Sequence, residues 1–373
     1  MSLAITGTGV AVPPHTMTQA EALSLAEQVL ELDDEKRRTL RAIYRRAGVQ
    51  TRHTCVPYQT GFEWARLPPV ECGADGPRPR GASTAARMAR YREHAPPLAV
   101  AAAEQALAAS GADPRGVTHV VTVSCTGFSA PGVDAALINR LGLSPETMRV
   151  NVGFMGCHGA INGLRTASAL AAEDPRRTVL MVCVELCSLH YFFDAVPDKL
   201  VSNALFSDGA AALVGRAGDG VGQTGGGGAG HAWRALATGS FLLDASLELM
   251  GWEVGDHGFE MTLSPSVPER IATSLPPWID DWLARHGVRR QEVAHWVVHP
   301  GGPRIVSAVA EALGLPPEAT AASRAVLAGH GNRSSPTVLF IAEELRKAGA
   351  SGHAVMLAFG PGLTAEVALL RFP

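Results

Sequence analysis

Residues 153–164 read GFMGCHGAINGL, and the rest of the chain is best read outward from this stretch. Glycines on both sides of Cys157 let the backbone approach a ligand closely. Beyond them Ile161, Leu164, Ala167 and Ala171 recur at helical spacing, which predicts a helix over 160–172 with the thiol at its head. Unsatisfied amides and the helix dipole at such a terminus favour a thiolate, so Cys157 is predicted to be a nucleophile. The alternative is a buried, inert cysteine.

Short apolar or β-branched runs flank this element. HVVTVSC (119–125), VLMVCVE (179–185), AHWVVH (294–299) and HAVMLAF (353–359) predict buried strands. A helix is predicted over 97–109, started by Pro-Pro and carrying Leu98, Ala101, Ala102 and Leu107 on one side; another over 335–347 carries Val338, Ala342 and Leu345. Strands alternating with helices indicate an α/β fold with buried sheets.

The spacing of these elements repeats. Cys157 follows His119 by 38 positions and precedes Val179 by 22; Asn332 follows His295 by 37 and precedes Ala354 by 22. Matched spacing suggests a duplicated α/β unit whose two helix heads face one central site. The halves are placed at 1–230 and 231–373, joined by the glycine-rich stretch RAGDGVGQTGGGGAGH (216–231). No GK[ST] follows those glycines and no GxGxxG opens a helix, so they read as a linker and not as a phosphate loop. Residues 56–83, rich in Pro, Gly and Arg, read as a surface excursion. The basic segment 36–53 reads either as a solvated helix face or as the mouth of a site for a phosphate-bearing cofactor.

Composition narrows the function classes. The 373 residues are 46% hydrophobic and 18% charged, with a formal net charge of −3, which gives no electrostatic case for nucleic acid or an anionic membrane. No secretory signal is expected at the N-terminus, and no apolar run reaches the length of a membrane span. The six cysteines are scattered with no CxxC pair, so reduced thiols in a cytoplasmic protein are expected, with neither a zinc site nor a disulfide framework.

Two further residues carry chemistry. His299 ends an apolar strand before Pro-Gly-Gly, where α/β folds place ligands and catalytic groups. Asn332, in GHGNRSS, is the counterpart of Cys157 in the second half and is equally suited to capping a helix. Taken together, GFMGCHGA, VVHPGG (297–302), GNRSS (331–335) and AFGPGL (358–363), with ELCSL (185–189) and ALFSDGAAA (204–212), resemble the chalcone synthase-like, type III polyketide synthases over nearly the whole chain, in their bacterial style.

That resemblance implies a thiolase-like fold, a duplicated α/β unit with layered α-β-α-β-α architecture, and a homodimer that uses coenzyme A thioesters, without metal or redox cofactor. It implies a triad of Cys157, His299 and Asn332. Cys157 would be held as a thiolate by His299 and acylated from an acyl-CoA starter, then extended by decarboxylative condensation with malonyl-CoA and closed to an aromatic or pyrone product. Phe206 matches an aromatic gatekeeper, and Met261 stands where plant enzymes carry a second Phe. Cys125, His190, Trp252 and Ser334 are expected in the cavity wall, with Phe359 in the loop shaping the cyclisation pocket. Trp252 replaces a plant Gly. Ala130 matches a position that reaches across the dimer interface. Arg52 and Arg304, with Gly301 and Gly302, are the expected CoA-binding residues. The nearest alternative is a ketoacyl-ACP synthase III-like enzyme performing one condensation with an acyl-carrier protein. A Cys-His-Asn hydrolase lacks its papain-type signature here, and a non-catalytic partner subunit would lack the nucleophile.

Overall fold

In the computed structural model, which describes residues 2–67, 81–193, 195–218 and 232–373, the strands are β1 (Leu3–Ala11), β2 (His15–Thr18), β3 (Thr51–Thr54), β4 (His119–Ser124), β5 (Met148–Gly153), β6 (Val179–Leu186), β7 (Asp208–Ala217), β8 (Trp233–Leu242), β9 (Met250–Gly255), β10 (Gly258–Leu263), β11 (Val293–Val298), β12 (Gly352–Gly360) and β13 (Thr364–Phe372). The helices are α1 (Gln19–Val29), α2 (Asp34–Arg46), α3 (Gln59–Ala65), α4 (Thr84–Ser110), α5 (Val133–Leu141), α6 (Gly159–Glu173), α7 (Pro197–Leu205), α8 (Val267–Arg285), α9 (Pro303–Ala312), α10 (Ala321–His330) and α11 (Thr337–Lys347).

Nine strands join in the order β11-β12-β13-β8-β1-β7-β6-β4-β5. The order is symmetric about the β8–β1 junction, where Leu3, Ala4 and Ile5 pair with Ala235, Arg234 and Trp233. On each side the innermost strand is antiparallel to the next (β1 to β7, β8 to β13), that strand is antiparallel to β6 or β12, and a parallel neighbour follows (β4 or β11). The duplication inferred from spacing is therefore a duplication of topology, with β5 added at the edge of the first half.

Strand alternation divides the core into layers. Val121, Val123, Met181 and Cys183 face a central cluster with Ile161 and Leu164 of α6 and Val338 and Ile341 of α11; Val297, Met356 and Ala368 meet it from the other half. The opposite faces pack outward: Val120, Leu180 and Val182 against α4 and α5, and Val298, Val355 and Val367 against α8 and α9. The result is α-β-α-β-α, with the two central helices back to back. Burying one such aliphatic side chain stabilises the fold by about 1.5–3 kcal/mol, and these layers bury dozens.

The helix expected to start at Pro96-Pro97 instead begins at Thr84, capped by the Ser83 hydroxyl, and runs straight through both prolines. An interior proline costs about 3 kcal/mol. The offsetting contact is a very close approach to β1: a methyl group on Gly9 would lie 2.2 Å from the Ala102 carbonyl oxygen, and one on Gly7 equally near that of Ala106. Cys72 and the linker segment 219–231 lie outside the described residues. No helix among the described residues is long and apolar enough to cross a membrane.

Candidate active site

Cys157 lies in a 3-10 turn, Gly156–His158, that leads directly into α6. Gly156 has φ +66°, and a Cβ there would come within 2.6 Å of the Pro361 ring from the second half, so this position demands glycine. Just upstream Phe154 holds φ 58°, and on the facing loop Ser334 holds φ 53°. Left-handed backbone at non-glycine residues stores about 1–3 kcal/mol each and collects at functional sites.

Of the two second-half residues expected at the thiol, Asn332 lies beside it and His299 lies near His158, the residue after it. His299 follows β11 directly and is anchored by its amide, which donates to the Leu357 carbonyl (2.8 Å). Its ring is 1% exposed and neither nitrogen has a partner in the protein. Asn332 docks on the Phe206 segment: its amide donates to Leu205 O (2.9 Å), and its carbonyl accepts from Ser207 N (2.8 Å). Its side-chain Oδ1 accepts from Ser334 N (2.8 Å), which turns the Nδ2 donors towards the site. The Cys157 thiol lies beside the Ser334 hydroxyl and the Asn332 side chain.

Burial acts against one expectation. Burial pushes the Cys157 thiol up to about 12, with Ser334 and Asn332 opposing and Glu185 reinforcing the shift. Burial likewise pushes His299 down to about 3, with His158 adding to it. Both shifts favour the uncharged forms, a thiol and a neutral imidazole, and so act against the thiolate–imidazolium ion pair expected from the helix terminus. Desolvation of each charge opposes the helix dipole here.

Cys157 opens into a chamber of about 40 Å³ that also takes in Cys125, Phe206, Trp252, Met261 and Ser334. A second cavity, about 80 Å³ and largely apolar, shares Cys187, Phe206 and Trp252 with it as a common wall. His190 lies in that second cavity, behind Trp252. Its ring is fixed: Nε2–H donates to Thr126 O (2.7 Å), while Nδ1 accepts from Phe259 N (2.9 Å). The Trp252 indole donates to Cys125 O (2.7 Å) and meets His190 edge-on.

On the outer side a groove of about 560 Å³ runs between α2, α7 and the head of α9, lined by Gly301, Gly302 and Arg304 together with Arg46. Both arginines are exposed. Leu205 and Leu263 line the groove, whereas Phe206 and Met261, one and two residues away, line the chamber. The end of α7 and β10 thus contribute to both groove and chamber.

Two expected site residues are elsewhere. Arg52 is 5% exposed and holds the end of α7, donating to Asn203 O (2.5 Å), Ala204 O (2.7 Å), Phe206 O (3.3 Å) and Gln19. A guanidinium already satisfying helix-end carbonyls is not placed to meet CoA phosphates. Phe359 points into the outer core with Leu243 and Ile271, because on β12 it alternates with Ala358, which faces the centre; Pro361 contributes to the chamber wall instead.

Sequence reasoning missed Glu185. Fully buried beneath the chamber, it accepts from the amides of Cys125 (2.9 Å) and Thr126 (3.1 Å) and from the hydroxyls of Thr126 (2.7 Å) and Ser335 (2.6 Å). Burial raises its carboxyl above the usual range against those four donors. The available signal was an acid closing an all-apolar strand. It is the tie that seats the Cys125 and Ser335 loops around the thiol.

Comparison with known proteins gives the same picture. The family model for the N-terminal domain of chalcone and stilbene synthases matches residues 2–218, and that for the C-terminal domain matches 235–372. The chain is 34% identical to a 1,3,6,8-tetrahydroxynaphthalene synthase of Streptomyces peucetius subsp. caesius, over 97% of this chain and 91% of that protein. It is 33% identical to the alpha-pyrone synthesis polyketide synthase-like Pks18 of Mycobacterium tuberculosis, over 97% and 89%. Among solved structures it resembles PKS-I of the brown alga Ectocarpus siliculosus, with TM-score 0.88 and 32% identity over 100% of this chain and 98% of that one.

Proposed function

The chain belongs to the chalcone and stilbene synthase family, the type III polyketide synthases, and from that premise we propose how its site works. In loading, His299 accepts the Cys157 proton as the sulfur attacks the carbonyl of an acyl-CoA starter. The C–S bond to CoA breaks, and the imidazolium returns the proton to the departing CoA thiolate. This route suits a neutral pair, since neither charge has to exist in the resting chamber.

In extension, malonyl-CoA loses its carboxylate as CO2, and the electron pair passes into the thioester as an enolate. The Asn332 Nδ2 and the imidazole N–H are the donors available to that oxyanion, beside an apolar chamber. The enolate carbon then attacks the acyl group on Cys157; a C–C bond forms and the C–S bond breaks, leaving a chain two carbons longer on CoA. Reloading and repetition build the polyketide, and ring closure gives an aromatic or pyrone product. The chemistry takes CoA thioesters as substrates and calls for no metal or redox group.

One observation carries this reading. The Cys157 thiol of one half lies beside the Asn332 side chain of the other at an apolar chamber, with the partnerless His299 imidazole next to the nucleophile turn at His158 and a groove holding two arginines on the outer side. Arg46 and Arg304 are the cations offered to the CoA phosphates, and the reaction is assigned to the cytoplasm. A second copy of the chain is the proposed partner. The edge strand β5 leaves Met148 55% and Val150 37% exposed, beside Phe128 at 57% and Phe154 at 38%. An open apolar edge of this kind is a template for pairing. Sedimentation should show a dimer that Val150→Lys weakens.

Incubation with malonyl-CoA and a panel of acyl-CoA starters, read by mass spectrometry, tests the function. Products extended more than once and cyclised are expected. Products of a single condensation that require an acyl-carrier protein would favour the ketoacyl-ACP synthase III-like reading.

A further inference from the structure

The residue after the nucleophile belongs to a buried polar chain that the reaction itself does not use. The His158 ring is 3% exposed and lies 2.8 Å, through Nδ1, from Asn162 Oδ1. Asn162 Nδ2 donates to Glu366 Oε1 (3.1 Å), and the other carboxylate oxygen pairs with Arg165. Only this amide orientation serves the carboxylate, so Asn162 Oδ1 must accept, which places the His158 proton on Nδ1. Arg165 also donates to Thr238 Oγ1 (3.2 Å) and the Gly239 carbonyl (3.2 Å) on β8.

The chain therefore runs from the nucleophile turn, along the first turns of α6, across to β13 and β8. Cys157, Asn162 and Arg165 belong to the first half; Glu366, Thr238 and Gly239 belong to the second. Other hydrogen bonds between the halves hold the Asn332 and Ser335 loops, from Asn332 to Leu205 and Ser207 and from Ser335 to Glu185, whereas the helix that carries the nucleophile packs mainly through apolar side chains apart from this chain. Apolar packing tolerates small sliding, whereas hydrogen bonds of fixed direction do not. The His158 ring is also wedged against Gly360, where a Cβ would lie 2.3 Å from its Cδ2, so β12 of the second half presses on the nucleophile turn from the other side.

We propose that the His158–Asn162–Glu366–Arg165 chain is a positioning brace that fixes Cys157, on one half, in register with His299 and Asn332, on the other. The proposal rests on the condensing reaction above and adds a division of labour to it. Decarboxylation needs only His299 and Asn332, which move together on the second half. Carbon–carbon bond formation also needs the acyl group on Cys157 at bonding distance from the nascent enolate. An enolate that finds no acyl group takes up a proton and leaves as acetyl-CoA. The brace thus governs how often decarboxylation ends in condensation.

Asn162→Leu removes both central hydrogen bonds and leaves the Arg165–Glu366 pair in place. The measurement is CO2 released, acetyl-CoA formed and polyketide formed, from malonyl-CoA and a fixed starter. Misplacement by about an ångström can cost about 10²-fold in rate, so polyketide per CO2 should fall steeply, with acetyl-CoA rising to match, while CO2 release stays near wild type. Should Asn162→Leu fail to fold, Asn162→Ala removes the same two hydrogen bonds with a smaller side chain and should give the same shift. A folded variant whose polyketide and CO2 fall together, or whose ratio is unchanged, overturns the brace. Wild-type protein that releases no CO2 from malonyl-CoA overturns the condensing reaction instead, so the two failures are distinct.

Discussion

The two halves share one strand order, yet the heads of their central helices are built differently. In the first half the helix starts at the residue after the Cys157 turn, so the thiol sits on the terminus itself, in a turn that Gly156 alone permits. In the second half α11 starts five residues beyond Asn332, and the intervening turn is tied by Ser334 N to Asn332 Oδ1 and by Arg333 N to Thr337 Oγ1 (2.9 Å). One head offers a nucleophile at a point set by backbone shape; the other offers a donor at a point set by hydrogen bonds. Duplication supplied two facing platforms, and the catalytic difference lies within a few residues on each.

Substitutions at each head should fail in different ways. The largest effect is expected for Cys157→Ala. Polyketide formation should vanish, while malonyl-CoA is still slowly converted to acetyl-CoA by the intact second half. Chromatography of the CoA esters reads both, and polyketide from this variant would remove Cys157 from its role. Asn332→Ala should be milder: loss of one oxyanion donor typically costs about 10²–10³ in rate, here in decarboxylation and condensation alike.

The resting protonation of the two heads gives a third test. A thiol pushed up to about 12 is protonated at neutral pH, and an imidazole pushed down to about 3 carries no charge to hold a thiolate. Alkylation of Cys157 by iodoacetamide should therefore climb about tenfold per pH unit between about pH 6 and about pH 9. A plateau across that range would show a preformed ion pair. The smallest of the four effects is expected at Trp252→Gly. Trp252 fills the boundary between the chamber and the second cavity. Truncating a large aromatic in a closed core costs about 3–5 kcal/mol, and a half-buried cavity wall should lose less. The variant should fold and shift product chain length at constant starter; an unchanged mass profile would detach Trp252 from length control.

The duplicated layers were legible because they follow from spacing: strand, turn and helix head recur at fixed intervals, and glycines mark the turns. What was not legible is direction. Arg52 lies in a basic run, and nothing in TRHT says that its side chain turns inward to close α7. Phe359 and Ala358 are adjacent on one strand, and only the position of the sheet decides which faces the chamber. The Glu185–Cys125 and Asn162–Glu366 contacts join residues about 60 and about 200 positions apart, so no local pattern announces them. Desolvation at the nucleophile is hidden for a related reason: the helix terminus is visible in sequence, whereas the surroundings that oppose a charge there are not.

The central claim is that, of the thiols around the chamber, Cys157 alone carries the acyl chain. Cys125 and Cys187 share its walls, so the claim is not trivial. Their thiols are raised well above the usual range by burial, and Cys125 Sγ is engaged with the Ser334 hydroxyl at 3.2 Å. Peptide mass spectrometry after brief exposure to an acyl-CoA starter, with no malonyl-CoA, reads the site directly. The account predicts the acyl mass on the peptide containing Cys157, lost in His299→Ala; acylation of Cys125 or Cys187 with Cys157 unmodified would contradict it.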